Sequence, residues 1–337
     1  MTRKLGFSFG VMACVLALGC GEPVTSADAG IDAPMECVPF ETPALGDAGP
    51  VPAAPHCPAP DGGTPGTGPC CYRASQAGSL DAPELRLAYI DIDAPEGSLT
   101  SSLLLGILND AIERESFNWR LRVEGADADG PVTLRTGFGF GEYGGPYQFP
   151  TGAGTTPFDI EDYLPVEIPG TMTGEIFSTG VYDGALTVPV LNTEGTAVQL
   201  QLVLRNIRVI GAEAHTDRSC VGFVSGRGYA SGAVLDGFIE VETARTGQIV
   251  LPTGGETTVC AAIAGSLSNA AYCEESPQGN WDVPPDSLCP ETGECTVNTG
   301  CEEDVCDRED DGSSGLPACN AWRLVARFAA QGVEISN

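Results

Sequence analysis

Five stretches of the chain alternate apolar and polar residues in period two: Trp119-Arg120-Leu121-Arg122-Val123, Val132-Thr133-Leu134-Arg135, Ala185-Leu186-Thr187-Val188, Ala197 to Leu204, and Phe238-Ile239-Glu240-Val241. Successive side chains of a strand point to opposite faces, so this spacing predicts half-buried antiparallel strands. Asp183-Gly184 and Asp236-Gly237 sit between β-prone residues and predict hairpin turns. Leu85 to Ile92 predicts a further strand that is apolar on both faces. One helix is predicted over Ser98 to Ser116, where Leu104, Leu108, Ala111 and Glu115 follow helical spacing and Leu103, Ile107 and Ile112 widen the stripe. Ser98 or Thr100 could cap it. The fold class expected is mainly β, an antiparallel sandwich or barrel-like domain with one α-helix, plus a disulfide-rich irregular insertion.

Composition narrows the setting. The 337 residues carry 46 acids against 16 bases, a formal charge of −30, which excludes nucleic acid as a partner because phosphate binding needs a basic face. Hydrophobic residues make up 42%, enough to bury a core. Fourteen cysteines, 44 glycines and 26 prolines describe a loop-rich chain stapled by disulfides in an oxidising compartment.

The amino terminus agrees with export. Arg3 and Lys4 precede an apolar run from Leu5 to Gly19, too short to span a bilayer, that ends in Leu16-Ala17-Leu18-Gly19-Cys20. This motif resembles the lipobox of bacterial lipoproteins. The resemblance implies cleavage of a 1–19 signal peptide and acylation of Cys20, with membrane lipid as a partner through the acyl chains. Gly21, in place of Asp, implies outer-membrane sorting within the bacterial cell envelope of a Gram-negative host. Cleavage removes Cys14 and lipidation uses Cys20, leaving twelve cysteines, an even number; acylation at the alternative Cys14 would leave thirteen.

Residues 20–72 are rich in Pro, Gly, Ala, Asp and Thr and read as an extended tether, with seven acids and no base between Gly21 and Pro69. The main β domain is expected over 80–266. An acidic, cysteine-rich insertion follows over 267–319; Cys273 to Cys319 holds 13 acids against the single base Arg308. Residues 320–337 return to the β domain as a final strand. The twelve cysteines divide as Cys37, Cys57, Cys70 and Cys71; Cys220 and Cys260; and Cys273, Cys289, Cys295, Cys301, Cys306 and Cys319. Pairing within segments makes Cys220–Cys260 a disulfide and leaves the other pairs open.

Candidate chemistry is sparse. Gly139-Phe140-Gly141-Glu142-Tyr143-Gly144 fits a dinucleotide fingerprint, but Gly145-Pro146 stands where a helix must open. The same segment concentrates aromatics, and Tyr143 and Tyr147 are candidate contacts for a protein or glycan ligand. Asp307, Glu309 and Asp311 occupy alternate positions before Gly312, which suggests a loose Ca²⁺ site, although Ala318 replaces the bidentate glutamate of an EF-hand. The reading favoured is a membrane-anchored extracytoplasmic lipoprotein with a non-catalytic binding or envelope-structural role. The alternative is a secreted, glycan-directed hydrolase using Asp91 and Asp93, or His215.

Lys4 is the only lysine and lies in the segment expected to be cleaved. An acylated mature protein therefore has no free amine. Amine-reactive reagents are expected to leave it unlabelled by mass spectrometry; strong labelling would show that Cys20 is not the acylated terminus.

Overall fold

The computed structural model describes residues 79–335 apart from residues 96, 142–145, 154–157, 193–197, 215–217, 219, 226–227, 231, 251–254, 267, 270, 276–280 and 298–318. Ten antiparallel strands carry the architecture: β1 (Glu84–Ala94), β2 (Trp119–Glu124), β3 (Gly130–Phe138), β4 (Val166–Thr173), β5 (Ile176–Thr179), β6 (Ala185–Leu191), β7 (Val198–Ile210), β8 (Ala212–Glu213), β9 (Ala233–Glu240) and β10 (Ala321–Gly332). Their order in the sheet is β8-β5-β4-β3-β2-β1-β10-β9-β7-β6. The fold is therefore mainly β and antiparallel.

The sheet curls into a half-barrel. β8, at one end of the order, is the direct continuation of β7 near the other, and the chain passes from one to the other through Gly211 at φ +58°. The Val209 and Gly211 amides donate to the Thr179 and Ser178 hydroxyls at 2.9 and 2.8 Å, which ties β7 to β5. The free edge of β6 is closed as well, because the Leu191 amide donates to the Ser116 carbonyl at 2.7 Å and Val190 bridges to Phe117. Curling gives the sheet one concave apolar interior.

β10 sits at the centre of this sheet, between β1 and β9. Trp322, Leu324, Ala326, Phe328 and Ala330 alternate along it and are all buried. Its other face carries Arg323 and Arg327.

Asp236-Gly237 does not form the predicted hairpin turn. Both residues lie inside β9, whose pairing with β7 shifts register between Asp236 and Phe238. A Cβ on Gly237 would stand 3.0 Å from Ile207 Cγ2 and 3.2 Å from the Arg205 carbonyl, so glycine here serves a bulge with close backbone approach. Asp183-Gly184 is a bend that leads into β6 and does not join two paired strands.

The predicted helix divides into a 3-10 turn, Ser98–Thr100, and α1, Ser102–Glu113. Its cap is Ser101, whose hydroxyl accepts from the Leu104 amide, in place of Ser98 or Thr100. Three short helices, α2 (Val241–Thr246), α3 (Val259–Ala264) and α4 (Tyr272–Glu275), lie beyond the one helix the periodicity shows. α3 is entirely buried.

Cys260 is bonded to Cys273 and Cys289 to Cys295. The first bond replaces the expected Cys220–Cys260 pair: α3 and α4 pack together, so a partner 13 residues on is nearer than the strand that carries Cys220. Cys220 and Cys319 each take part in a further disulfide. The start of the cysteine-rich block is docked on the sheet, since Trp281 stacks on Trp322 at 5.7 Å and Ser287 pairs with Ala321.

Because β10 is paired along both edges, deleting residues 321–337 is expected to abolish cooperative thermal unfolding. A truncated protein with an intact melting transition would refute its central role.

Candidate functional site

The geometry of the curled sheet creates an apolar cavity. β1 pairs with β2 only over Glu84–Arg86 and then diverges from it, while its pairing with β10 runs to Ala94. α1 fills the opening. The Asn109 side chain takes the place of a neighbouring strand: its carbonyl accepts from the Ile90 amide at 3.0 Å and its NH₂ donates to the Ile90 carbonyl at 2.8 Å. A buried backbone amide and carbonyl otherwise left unpaired are thereby satisfied.

Between α1 and the sheet lies a cavity of about 110 Å³. Ile90, Ile92, Leu202, Leu235 and Leu324 form its sheet wall, Leu104, Leu108 and Ala111 its helix wall, and Phe117 and Trp119 one end. Among the described residues of the lining, Gln248 is the one with an amide side chain. Leu99, Ile107 and Leu108 are only partly buried although they pack on the core. Below Trp119 and Leu235 the same interior is filled almost completely, with about 10 Å³ left among Leu87, Leu121, Ile168, Val209 and Phe328. The hollow is therefore localised where β1 and β2 part.

Leaving such a volume unfilled costs about 2.5 kcal/mol at ~24 cal/mol per Å³. Apolar cavities of this order remain dry and accept small apolar molecules.

The acids nominated for hydrolysis have another occupation. Asp91 faces Arg327 directly across β1 and β10. Arg327 donates to Asp93 at 2.7 and 2.8 Å and to Asp91 at 3.4 Å. The bond to Asp93 raises the Arg327 pKa further, so the cation persists at any working pH. Two carboxylates held by one guanidinium are ion-pair acceptors, a poor arrangement for a general acid.

Tyr147 is not an exposed ring that could grip a ligand. It is 1% exposed, its hydroxyl donates to Glu115 at 2.7 Å, and the Arg120 guanidinium lies 3.3 Å over its ring. Burial, then the bond to Glu115, pushes its pKa up. The local reason is the glycine-rich strand segment: Gly141 pairs with Tyr147, and any side chain there would strike Pro146 and the tyrosine. Tyr143, His215, Asp307, Glu309, Asp311, Cys20, Cys37, Cys57, Cys70, Cys71, Cys301 and Cys306 lie outside the described residues.

The helical stripe Leu104, Ile107, Leu108 and Ala111 was readable from spacing, yet spacing cannot say that the stripe stops short of full contact. Arg86 and Arg120 were missed because their alternation in β1 and β2 reads as a solvated face. The signal lies in the aromatic, glycine-rich segment after Phe138, whose Gly139 and Tyr147 pack against Arg120. No known protein family, characterised protein or solved structure matches the chain, so its residues carry the functional reading by their geometry alone.

Proposed function

We propose that this chain is a membrane-anchored, extracytoplasmic lipoprotein whose β domain binds, without catalysis, a small apolar group such as the end of an acyl chain. The cavity under α1 carries the reading. An uncharged lining with one amide selects against charged ligands, because an ion placed there would lose its hydration with nothing to replace it. Apolar contact can supply about 0.8 kcal/mol per buried CH₂, so four or five methylenes suffice for a measurable affinity.

Two further features support the setting. The Cys260–Cys273 and Cys289–Cys295 bonds suit an oxidising compartment. The lipobox-like Leu-Gly-Cys20 would hold the domain beside a membrane, where acyl chains are abundant. The hydrolase reading is the weaker one, since Arg327 engages both Asp91 and Asp93.

Titration of the mature protein with cis-parinaric acid, a fluorescent fatty acid, is expected to give saturable binding that palmitate displaces. Ala111→Trp projects an indole into the cavity and should weaken binding at least tenfold while a cooperative melt is retained. Absence of saturable binding by the fatty acid and by benzene, in a protein that melts cooperatively, would overturn the assignment. Asn109→Ala leaves the Ile90 amide and carbonyl without partners, and should lower stability by about 1–3 kcal/mol in a denaturant titration.

A further inference from the structure

We propose a second, separate site: a small monovalent anion, of the size of chloride, bound between Arg86 and Arg120 on the convex face of the sheet.

The two arginines are direct cross-strand partners in β1 and β2. Like charges placed opposite one another repel, and sheets ordinarily avoid the arrangement. Here both are covered. Arg120 is 0% exposed, and none of its three guanidinium nitrogens has a hydrogen-bond partner. Arg86 donates through Nη1 to the Ile112 carbonyl at 3.1 Å and to Glu115 at 3.0 Å, but its buried Nε is unpartnered as well. Burial, and next the Arg86 charge, pull the Arg120 pKa down to about 9. That remains above neutrality, so the group is charged under ordinary conditions.

Among the described residues, Glu115 is the acid that meets this pair. Glu115 holds a left-handed backbone at φ +63°, a conformation glycine usually takes at a helix end, and thereby brings its carboxylate to Arg86 and the Tyr147 hydroxyl. Stacking on Tyr147 gives Arg120 a cation–π contact on one face of its guanidinium. Among the described residues the pair of guanidiniums therefore shares one carboxylate, and an uncompensated buried charge is strongly destabilising. A small anion lying against both would accept the unused donors and balance the charge.

Size follows from the packing. A Cβ on Gly139 would overlap the Arg120 side chain, and one on Gly141 would strike Pro146 and Tyr147. Gly139 packs against the Arg120 side chain and Arg120 has no exposed surface, so the ion proposed is a monatomic one rather than phosphate or citrate.

Thermal unfolding of the mature protein at fixed ionic strength, with sodium gluconate replaced stepwise by chloride or bromide, tests this. The melting temperature should rise and saturate with halide, and Arg120→Met should abolish that dependence. Crystals grown with bromide should show an anomalous peak within hydrogen-bonding distance of Arg120, a readout that does not rely on the variant folding. A halide-independent melting temperature, or a bromide map without a peak between the two arginines, would overturn the proposal.

Discussion

The last strand holds the rest of the structure in place. β10 is paired along its length with β1, near the beginning of the described chain, and with β9, so the sheet cannot form in chain order. Its pairing with β1 joins residues more than 230 positions apart, and the closure of that loop must be offset by contacts that only the complete sheet supplies. Small residues make the close approach workable. Ala326, Ala329 and Ala330 are fully buried, and the two arginines on the strand find acids on its neighbours: Arg323 is held bidentately by Asp236, and Arg327 by Asp91 and Asp93. Ion pairing across the central strand thus explains three aspartates that would otherwise attract a catalytic interpretation.

The cavity is a consequence of how the sheet curls. Strands of a small, strongly curled sheet fill their interior with side chains, and the lower part of this one does so. In the upper part, β1 leaves β2 after Arg86 and α1 lies across the opening, with Asn109 supplying the two hydrogen bonds that a strand would have made. A helix cannot match the spacing of a missing strand, because its side chains descend from an axis set well back from the strand line. Space lined by Leu, Ile and Phe is what remains. The bulge at Gly237 bends β9, the strand whose Leu235 and Ile239 form part of the same wall.

The charge distribution has a matching logic. Acids dominate the chain, and removing Arg3 and Lys4 with the signal peptide would leave 14 arginines against 46 acids, a side-chain charge of −32. Yet buried cations occur within the sheet. Arg323 is neutralised by Asp236, an ordinary buried pair that also takes in Arg208. Arg86 and Arg120 differ, because their strands place cation opposite cation and Gly139 and Tyr147 pack against Arg120.

Period-two alternation, helical spacing over Leu104 to Ile112, and the composition of the chain were enough to determine a mainly β antiparallel fold with one substantial helix, because those patterns are local and repeat within a few residues. β4, β5 and the three short helices escaped that reading: Val166–Thr173 is interrupted by Pro169 and Gly170, and α2 to α4 are too brief to show a period. The Asp236-Gly237 pair misled because a turn dipeptide and a bulge need the same small, permissive residue. Which cysteine bonds Cys260, whether Asp91 and Asp93 are catalytic acids or partners of Arg327, where the interior is hollow, and which arginines are covered were decided by tertiary structure alone. The Cys260 bond follows from the packing of α3 on α4, and the others depend on which strands become neighbours, about which no local window of sequence carries information.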